Sequence, residues 1–504
     1  MDKKNLFGSL IEPRALLLLT KVSNFLAEQD IQSYVVGGFV RDVLLRRDTA
    51  DIDIVVTADA LEIAPKVATA LGGKYVLLDK VNKVGRVVLA NKRAPSTKGQ
   101  WQLDFSTLKG NIEQDLAQRD FTIDAMAIDL SQSEKNYADS QLIDPFNGWD
   151  DLHQGVIRVV SDAAFKSDAA RLLRAVRLAA ELEFSIDKQT ETLIQRYSCL
   201  IASVAGERVR EELLRLLAIP RAGQLLSYLD KLGLITALIP EIAQTKGVEQ
   251  PKEHFWDVFD HTIQTVVAVD FLLRQGDWEY AKEEALASVP WSVVLAQHFD
   301  LEVSSGSTRR LLLKLAALLH DIAKPQAKAI DAGGRVRFLG HAQEGATIAS
   351  GILERLRFSN KEIKLVEIIV RQHLRPVQMS HDGLPSRKAI YRYFRDTGEA
   401  GIDILFLSLA DHLATRGPHL NMAHWQNHVQ IVEYVLTHRF QEESLVVPLK
   451  LVDGHDLINI FGMSPGPRIG ELLEAVREAQ ASGELTTKEE ALSYIRERLL
   501  SKAV

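Results

Sequence analysis

The first 130 residues contain short alternating runs of hydrophobic and polar positions, which predict β-strands. In the run at 51–56, Asp51 and Asp53 fall on one face of the strand, and the intervening isoleucines fall on the face that meets a core. Further strands are predicted at 75–78, 86–89 and 101–105. Helical patterns predict helices around 16–19 and at 60–71, the second ended by two glycines.

The pattern turns helical from Leu152 onward and stays mostly helical to the end of the chain. We therefore predict an α+β fold, in which a mixed head precedes helical segments. The predicted segments are a head at 1–150, a helical neck and body at 151–250, a second domain at 251–420 and a helical tail at 421–504. Residues 271–307 are expected to form a helical insertion.

The composition is that of an ordinary soluble protein, with 46% hydrophobic and 25% charged residues among 504. The net charge of −7 does not favour a nucleic-acid partner, so any RNA-binding surface must be a local basic patch. Cys199 is the only cysteine, which excludes an intrachain disulfide, and we expect it to be buried. No stretch has the apolar length that crosses a bilayer, so we expect a cytoplasmic protein without a membrane partner.

Asp51 and Asp53 are the first candidate functional residues, because two carboxylates on one strand edge repel unless a cation lies between them. Magnesium suits such an edge, since it binds carboxylate oxygens and keeps positions for water and substrate phosphates. Upstream, Gly37 and Gly38 let backbone N–H groups approach a triphosphate, and Arg41 can pair with a phosphate. The plain alternatives are a glycine turn and a solvated strand edge.

The sequence GGFVRDVLL followed by DID resembles the active-site motif of class II tRNA nucleotidyltransferases and bacterial poly(A) polymerases. This family belongs to the polymerase-β nucleotidyltransferase superfamily. The resemblance implies a polymerase-β-type head, substrates CTP, ATP and the 3′ end of tRNA, and two magnesium ions at the head. Arg46 departs from the pattern at a position where the family usually has glycine, which puts the local turn in question.

Two further head segments contain candidate functional residues. Asp104, on a predicted strand, is either a third carboxylate for the same edge or an ordinary edge-strand acid. The sequence QRDFTIDAM resembles the family's RRDFTxNAM motif, with Gln118 and Asp124 as departures. The resemblance implies that Arg119 and Asp120 bind the sugar and triphosphate, and a carboxylate can accept from a ribose 2′-OH. Without this context the two residues would be a surface ion pair.

Asp168 and Arg171 are candidates for base recognition. Three positions apart on a predicted helix, they share one face. There the carboxylate can accept from the exocyclic amine of cytosine or adenine, and the guanidinium can donate to the neighbouring ring nitrogen. Such a pair is otherwise a surface salt bridge. The sequence SDAAR resembles the family's EDxxR element, whose Asp and Arg read CTP and ATP, with Ser167 replacing the Glu.

Arginines on the same helix and on a later one are candidates for a groove that binds tRNA phosphates. They are Arg174, Arg177, Arg208, Arg210 and Arg215. Such a groove is the local basic patch that a chain of net charge −7 needs in order to bind RNA.

The region beyond residue 251 contains histidines and aspartates that indicate a metal site. His320 and Asp321 end a strongly apolar helix, which would bury two polar side chains unless a metal satisfies them. The candidate ligands are His261, His320, Asp321 and Asp411, with His341 and His373 for a second metal. The ordered set resembles the HD phosphohydrolase superfamily, and its imidazoles suit a divalent transition metal. The His-Asp pairs at 381–382 and 455–456 are expected to be structural or solvated.

The sequence therefore predicts template-independent addition of CCA, or part of it, to tRNA from CTP and ATP, with release of pyrophosphate. Addition of only CC or only A, and a bacterial poly(A) polymerase, stay open, because the same groups read both bases. From a different class, a metal phosphohydrolase with a degenerate RNA-binding head conflicts with the intact Asp51 and Asp53 pair. The tail resembles the family's C-terminal region and is expected to bind tRNA, while the oligomeric state is not predicted.

Overall fold

The computed structural model describes residues 10–89, 100–130, 142–280, 283–380, 383–441 and 450–501. The chain forms two compact units, one of residues 1–204 with 232–234 and the other of residues 205–231 with 235–504. These units divide the chain differently from the four predicted segments, because residues 151–204 group with the head. A mixed sheet followed by helices confirms the α+β class.

The first unit contains a seven-stranded sheet of order β3-β4-β5-β2-β1-β6-β7. Its strands are β1 Ser33–Val36, β2 Asp51–Val56, β3 Lys74–Asp79, β4 Val84–Leu89, β5 Trp101–Thr107, β6 Ala127–Asp129 and β7 Leu142–Ile143. Strands β2 and β5 are parallel, and the other neighbouring strands are antiparallel. All four predicted strands are confirmed, three of them extended by one or two residues at an end.

The helices of the first unit pack beside this sheet or follow it. They are α1 Pro13–Ala27, α2 Gly38–Leu44, α3 Ala60–Leu71, α4 Ile112–Leu116, α5 Gly148–Gln154, α6 Ala163–Ser167, α7 Ala170–Leu182 and α8 Lys188–Tyr197. Both predicted helices are present, and Gly72 ends α3 in the left-handed conformation. Two short parallel strands, β8 Val156–Ile157 and β9 Ser185–Ile186, join this region. The expectation that Cys199 is buried is wrong, because it lies exposed in a 3₁₀ turn after α8.

From residue 206 onward the structure is mostly helical. The helices are α9 Gly206–Ala218, α10 Ala222–Lys231, α11 Leu234–Leu238, α12 Val258–Leu272, α13 Glu283–Ala287, α14 Val293–Asp300, α15 Arg309–Leu319, α16 Lys324–Ala327, α17 His341–Arg355, α18 Asn360–Gln372, α19 Arg375–Met379, α20 Arg387–Thr397, α21 Ala400–Arg416, α22 Met422–Gln441, α23 Gly454–Phe461, α24 Pro467–Ser482 and α25 Lys488–Ser501. Two hairpins, β10 Glu302–Ser304 with β11 Ser307–Thr308 and β12 Lys328–Ile330 with β13 Val336–Phe338, interrupt them. The predicted insertion at 271–307 is therefore helical only in part.

Helices α12 and α21 are buried on almost every side, which places them at the centre of the second unit. A buried ion pair joins this centre to the preceding helices, with Lys314 Nζ 2.6 Å from Asp270 Oδ1 and donating to the Leu217 carbonyl at 2.7 Å. In the described part of the chain, no helix combines the length and apolar character that a membrane crossing requires.

Candidate active site and candidate metal centre

Three aspartates lie on one face of the head sheet. Alternation along β2 places Asp51 and Asp53 on the same face, as predicted. Asp104 on β5 lies directly opposite Asp53 in the parallel ladder, and Gln102 lies opposite Asp51. Strand register therefore delivers the third carboxylate to the predicted edge.

Asp53 is half-buried at this edge. Burial raises the pKa of Asp53 to about 6, and the nearby Asp104 adds to the rise, whereas Arg119 opposes it. The raised pKa means that the surroundings of Asp53 disfavour its charged form. A bound cation would stabilise that charged form. The all-oxygen donor set fits a hard divalent cation such as magnesium.

Gly37 and Arg119 lie against the same carboxylate. Gly37 has φ +72°, a left-handed conformation, and a Cβ built on it would lie 2.7 Å from Arg119 Nη1 and 3.0 Å from Asp53 Oδ2. Only glycine leaves room here, so the backbone at the start of α2 stays open to a ligand, and the adjoining Gly38 begins that helix. Arg119 is placed beside the carboxylate edge, where the resemblance implied a triphosphate-binding residue.

Arg41 and Asp120 are both held in buried ion pairs. Arg41 donates to Asp124 at 2.7 Å and to Asp42 at 2.9 Å, and it is only 8% exposed. Arg174 Nε lies 3.0 Å from an Asp120 oxygen and its Nη2 lies 3.8 Å from Asp124. The departure at Asp124 thus provides a carboxylate that two arginines share. Phosphate binding by Arg41 stays a prediction, and the burial of this side chain argues against it.

Arg86 was not predicted from the sequence, yet it joins the carboxylate edge. On β4 it lies opposite Asp104 and donates to both of its oxygens at 2.7 Å. Its side chain keeps 32% exposure. The sequence showed only an arginine within an alternating strand. It could not show that Asp104 is the partner of Arg86, because that depends on the register between β4 and β5.

The base-recognition pair lies at a helix break, so the prediction of one continuous helix is wrong. Helix α6 ends before Asp168, which is extended at φ −152°, and Arg171 lies in the first turn of α7. The Arg171 guanidinium donates to the carbonyls of Ala164 and Gln118 at 3.2 and 3.0 Å, and its Nε lies 4.0 Å from Asp168 Oδ2. The break still brings carboxylate and guanidinium together, with both side chains partly exposed.

Several of the arginines predicted to bind tRNA phosphates are held in ion pairs in the structure. Arg177 is 5% exposed and pairs with Glu181 at 2.6 Å, so it is not available to a phosphate and that prediction is corrected. Arg210 pairs with the buried Glu362 at 2.7 Å. Arg215 forms an exposed pair with a glutamate one turn away, while Arg174, on the first unit, keeps 43% side-chain exposure.

All six predicted histidine and aspartate ligands of the second domain come together around Asp321. His261 Nε2 lies 3.0 Å from Asp411 Oδ1 and 3.4 Å from Asp321 Oδ2. His320 Nε2 lies 3.1 Å from the same Asp321 oxygen. These four residues come from α12, the end of α15 and α21, so helix packing rather than sequence spacing assembles them.

The other oxygen of Asp321 faces the remaining two histidines. His341 Nε2 lies 3.3 Å from Asp321 Oδ1 and 3.3 Å from His373 Nε2, and His373 Nε2 lies 3.9 Å from that oxygen. Asp321 therefore stands between two groups of possible ligands, each with ligand atoms within 4.8 Å of one another. The two groups contain the residues predicted to bind a first and a second metal, and metal binding at each stays a prediction.

Backbone hydrogen bonds orient these imidazoles. Nδ1 of His320, His341 and His373 lies 2.8, 2.6 and 2.7 Å from the carbonyls of Ala317, Phe338 and Val370. Donation from Nδ1 leaves each Nε2 as a lone pair aimed at the cluster, which is the usual arrangement of metal-bound histidine. Asp321 pairs with the Lys324 ammonium, but the buried Nε2 atoms of His261 and His320 have no hydrogen-bond partner among the described residues. Such convergent acceptors fit a cation.

Burial and neighbouring charges shift the pKa values of residues in the cluster. Burial opposes ionisation of Asp321, but His320 and Lys324 hold its pKa well below the usual range. Burial lowers the pKa of His373 to about 4, which keeps a neutral ligand at ordinary pH. Lys324 was not predicted: its Nζ lies 2.6 Å from Asp321 Oδ2 and donates to Gln250 at 2.7 Å. Its position three residues after Asp321 was the available signal.

Fold and site define a class: a polymerase-β-type nucleotidyltransferase head joined in one chain to an HD domain. Family models match accordingly, with a poly A polymerase head domain at 33–158 and a probable RNA-binding site of polymerase A at 183–245. An HD domain matches 292–416, and domain 2 of tRNA nucleotidyltransferases matches 419–495.

Curated relatives narrow the class. The chain is 32% identical to the A-adding tRNA nucleotidyltransferase of Deinococcus radiodurans over 467 residues, covering 92% of this chain and 94% of the relative. It is also 32% identical over 473 residues to the CC-adding tRNA nucleotidyltransferase of Thermus thermophilus, covering 92% and 93%. The chain belongs to the tRNA nucleotidyltransferase family, whose members depend on divalent metal ions.

Solved structures support the fold. A CCA-adding enzyme in complex with CTP superposes with a TM-score of 0.64 at 23% identity, covering 98% of this chain and 97% of that one. The Thermotoga maritima CCA-adding enzyme complexed with tRNA gives a TM-score of 0.59 at 24% identity, covering 97% of each chain.

Proposed function

We propose that this chain adds nucleotides to the 3′ end of tRNA from CTP, ATP or both, and releases pyrophosphate. The observation that carries the proposal is the row of Asp51, Asp53 and Asp104 on one partly exposed sheet face beside the Gly37 turn. Two magnesium ions held there would activate the attacking 3′-OH and neutralise charge on the triphosphate. No covalent intermediate is needed, because positioning and electrostatics supply most of such catalysis.

The protein's own residues account for binding and orientation. Gly37 and Gly38 leave room for a triphosphate, and Arg119 lies beside it as a fixed cation. Arg174 fixes Asp120, whose carboxylate is the predicted acceptor for a ribose hydroxyl. Asp168 and Arg171 would select cytosine and adenine by donor and acceptor polarity. Uracil or guanine would leave both groups unpaired, at a cost of about 1–3 kcal/mol each.

Relatives named for A addition and for CC addition are equally similar to this chain, so the extent of addition needs its own assay. The protein is incubated with tRNAs that end at the discriminator base, at C and at CC, each with one labelled nucleotide. Full CCA addition extends all three, CC addition stops at CC, and A addition extends only the last. Long A tracts would instead favour a poly(A) polymerase, and no extension of any RNA would refute the proposal.

A second function is proposed for the HD domain, on the observation that Asp321 lies between two groups of histidines with oriented Nε2 atoms. A divalent transition metal fits these ligands and would supply a Lewis acid or a bound hydroxide. We expect hydrolysis of a phosphomonoester or cyclic phosphate at an RNA end. Metal content after purification and cleavage of a model phosphomonoester test this function, and protein that lacks both would refute it.

The expected cytoplasmic location stays a prediction.

A further inference from the structure

The sheet face that carries the three aspartates continues outward over β5, β4 and β3. Residues directly opposite one another on neighbouring strands share a face. Arg86 on β4 lies opposite Asp104, and Val76 on β3 lies opposite Arg86. In the next row, Val88 on β4 lies opposite Gln102, and Lys74 on β3 lies opposite Val88. We call Lys74, Val76, Arg86, Val88 and Gln102 the open face.

Exposure along the strands separates this face from its reverse. On β4 and β5 the open-face positions are partly exposed, whereas Val87, Leu103 and Phe105 on the reverse are fully buried. At the edge, Val76 is 45% exposed. Over β1 and β2 the same side of the sheet is covered instead, since Val36 and Val55 pack with the segment that follows β5. In the described residues the face is thus closed on the β1 side and open on the β3 side.

The chemistry of the open face suits a nucleotide. The two valines lie diagonally across β3 and β4, and each has a cation directly opposite it on the neighbouring strand, Arg86 for Val76 and Lys74 for Val88. Arg86 uses Nε and Nη2 to bind Asp104, and its side chain keeps 32% exposure. Apolar surface flanked by cations is the pattern that binds single-stranded nucleic acid. An exposed apolar edge strand is otherwise a liability that proteins avoid.

The direction of the reaction identifies which nucleotide. In phosphoryl transfer the attacking and leaving oxygens lie roughly in line on opposite sides of the phosphorus. Gly37 and Arg119, the proposed triphosphate side, lie on the β1 side of Asp53. The acceptor hydroxyl must then come from the β5 side, where the open face begins.

We propose that the open face binds the 3′-terminal nucleotide of the acceptor RNA, with its base over Val76 and Val88 and its phosphate at Lys74 and Arg86. This inference rests on the proposed nucleotidyl transfer at Asp51 and Asp53. It assigns a binding role to Arg86 as well as its contact with Asp104.

The test compares two adjacent exposed residues of β3. Val76→Asp places a negative charge on the open face, and Leu77→Asp places the same charge on the reverse, at 49% exposure against 45% for Val76. Loss of one stacked base and repulsion of its phosphate should raise KM for the acceptor tRNA about tenfold in Val76→Asp. KM for CTP and ATP should stay unchanged, and Leu77→Asp should behave as the unmodified protein.

A second measurement reads binding without catalysis. An acceptor RNA with a photoreactive thio-base at its 3′ terminus is irradiated with the protein, and cross-linked peptides are mapped by mass spectrometry. Labelling within 74–88 or at Gln102 supports the proposal, whether or not any nucleotide is added. Failure of the proposed function is seen separately as a lack of extension.

Three results would overturn the inference. Equal effects of Val76→Asp and Leu77→Asp would assign the strand a structural role. Unchanged KM together with altered sedimentation in Val76→Asp would show that a second copy of the chain covers this face. Cross-links found neither within 74–88 nor at Gln102 would place the RNA terminus elsewhere.

Discussion

The head edge and the HD cluster both gather aspartates, yet they differ in their other candidate ligand atoms and in their burial. The head edge is all oxygen, lies on a partly exposed sheet face and has arginines nearby. The HD cluster is rich in imidazole, and His261, His320 and Asp321 are at most 1% exposed. An open oxygen edge suits magnesium that arrives with a triphosphate, whereas a buried imidazole cluster suits a resident transition metal. Mutations at each of the two proposed metal sites can therefore test them separately.

The largest effect is expected from Asp53→Ala. Loss of a carboxylate from the metal edge should lower nucleotide addition by roughly a thousandfold or more. Affinity for tRNA should change only a few-fold, since phosphate contacts elsewhere supply most of it. Single-turnover addition and filter binding measure the two. Glu62→Ala removes an exposed acid of α3 as a control, and near-normal addition by Asp53→Ala would contradict the assignment.

His320→Ala tests the separation from the other side. Removing an oriented imidazole should weaken transition-metal binding by about 10–100-fold or more, while CTP and ATP addition stays within about twofold. Metal analysis after dialysis and the addition assay check this, with His455→Ala, an exposed tail histidine, as the control. If the alanine variant is unfolded by circular dichroism, His320→Gln replaces it. Loss of addition in a folded variant would mean that the two centres are coupled.

Arg171→Ala is expected to change selectivity within the head. Without the guanidinium, discrimination for CTP and ATP over UTP and GTP should fall by about tenfold, because one mismatched group costs 1–3 kcal/mol. Competition between labelled nucleotides measures the ratio. Lys166→Ala removes an exposed charge from the same segment as a control. If selectivity persists and only tRNA affinity falls, Arg171 belongs to a phosphate-binding surface.

The smallest effect concerns stability without metal. Because the pKa of Asp53 is raised to about 6, its ionisation costs folding free energy that grows as pH rises from about 4 to 6 and is constant above. Asp53→Asn should therefore stabilise the chelator-treated protein by about 1–3 kcal/mol at pH 7.5 and not at pH 3.5. Denaturant unfolding at both pH values measures this. Equal stabilisation at both would trace the effect to packing.

Some of the head followed from local pattern. Alternation placed Asp51 and Asp53 on one face, because two-residue periodicity is a property of a strand alone. The resemblance implied a triphosphate-binding role for Arg119, whereas Asp104 stayed open between a third carboxylate and an ordinary edge-strand acid. Arg86 escaped notice, since its role depends on which residue lies opposite it on β5. The helix through Asp168 was predicted as continuous, because its break arises from how Arg171 anchors to Ala164 and Gln118.

By itself the sequence determined the fold class, the strand faces, the order of motifs and the six histidines and aspartates that meet in the HD cluster, whose role as metal ligands stays a prediction. Only the tertiary structure decided that Asp321 stands between two ligand groups, that Lys324 contacts it, and that Arg41 and Arg177 are buried in ion pairs. The physical reason is the distance along the chain over which each feature is set. Side-chain direction follows from local backbone geometry, whereas the partner of a charge depends on which distant helix or strand packs against it.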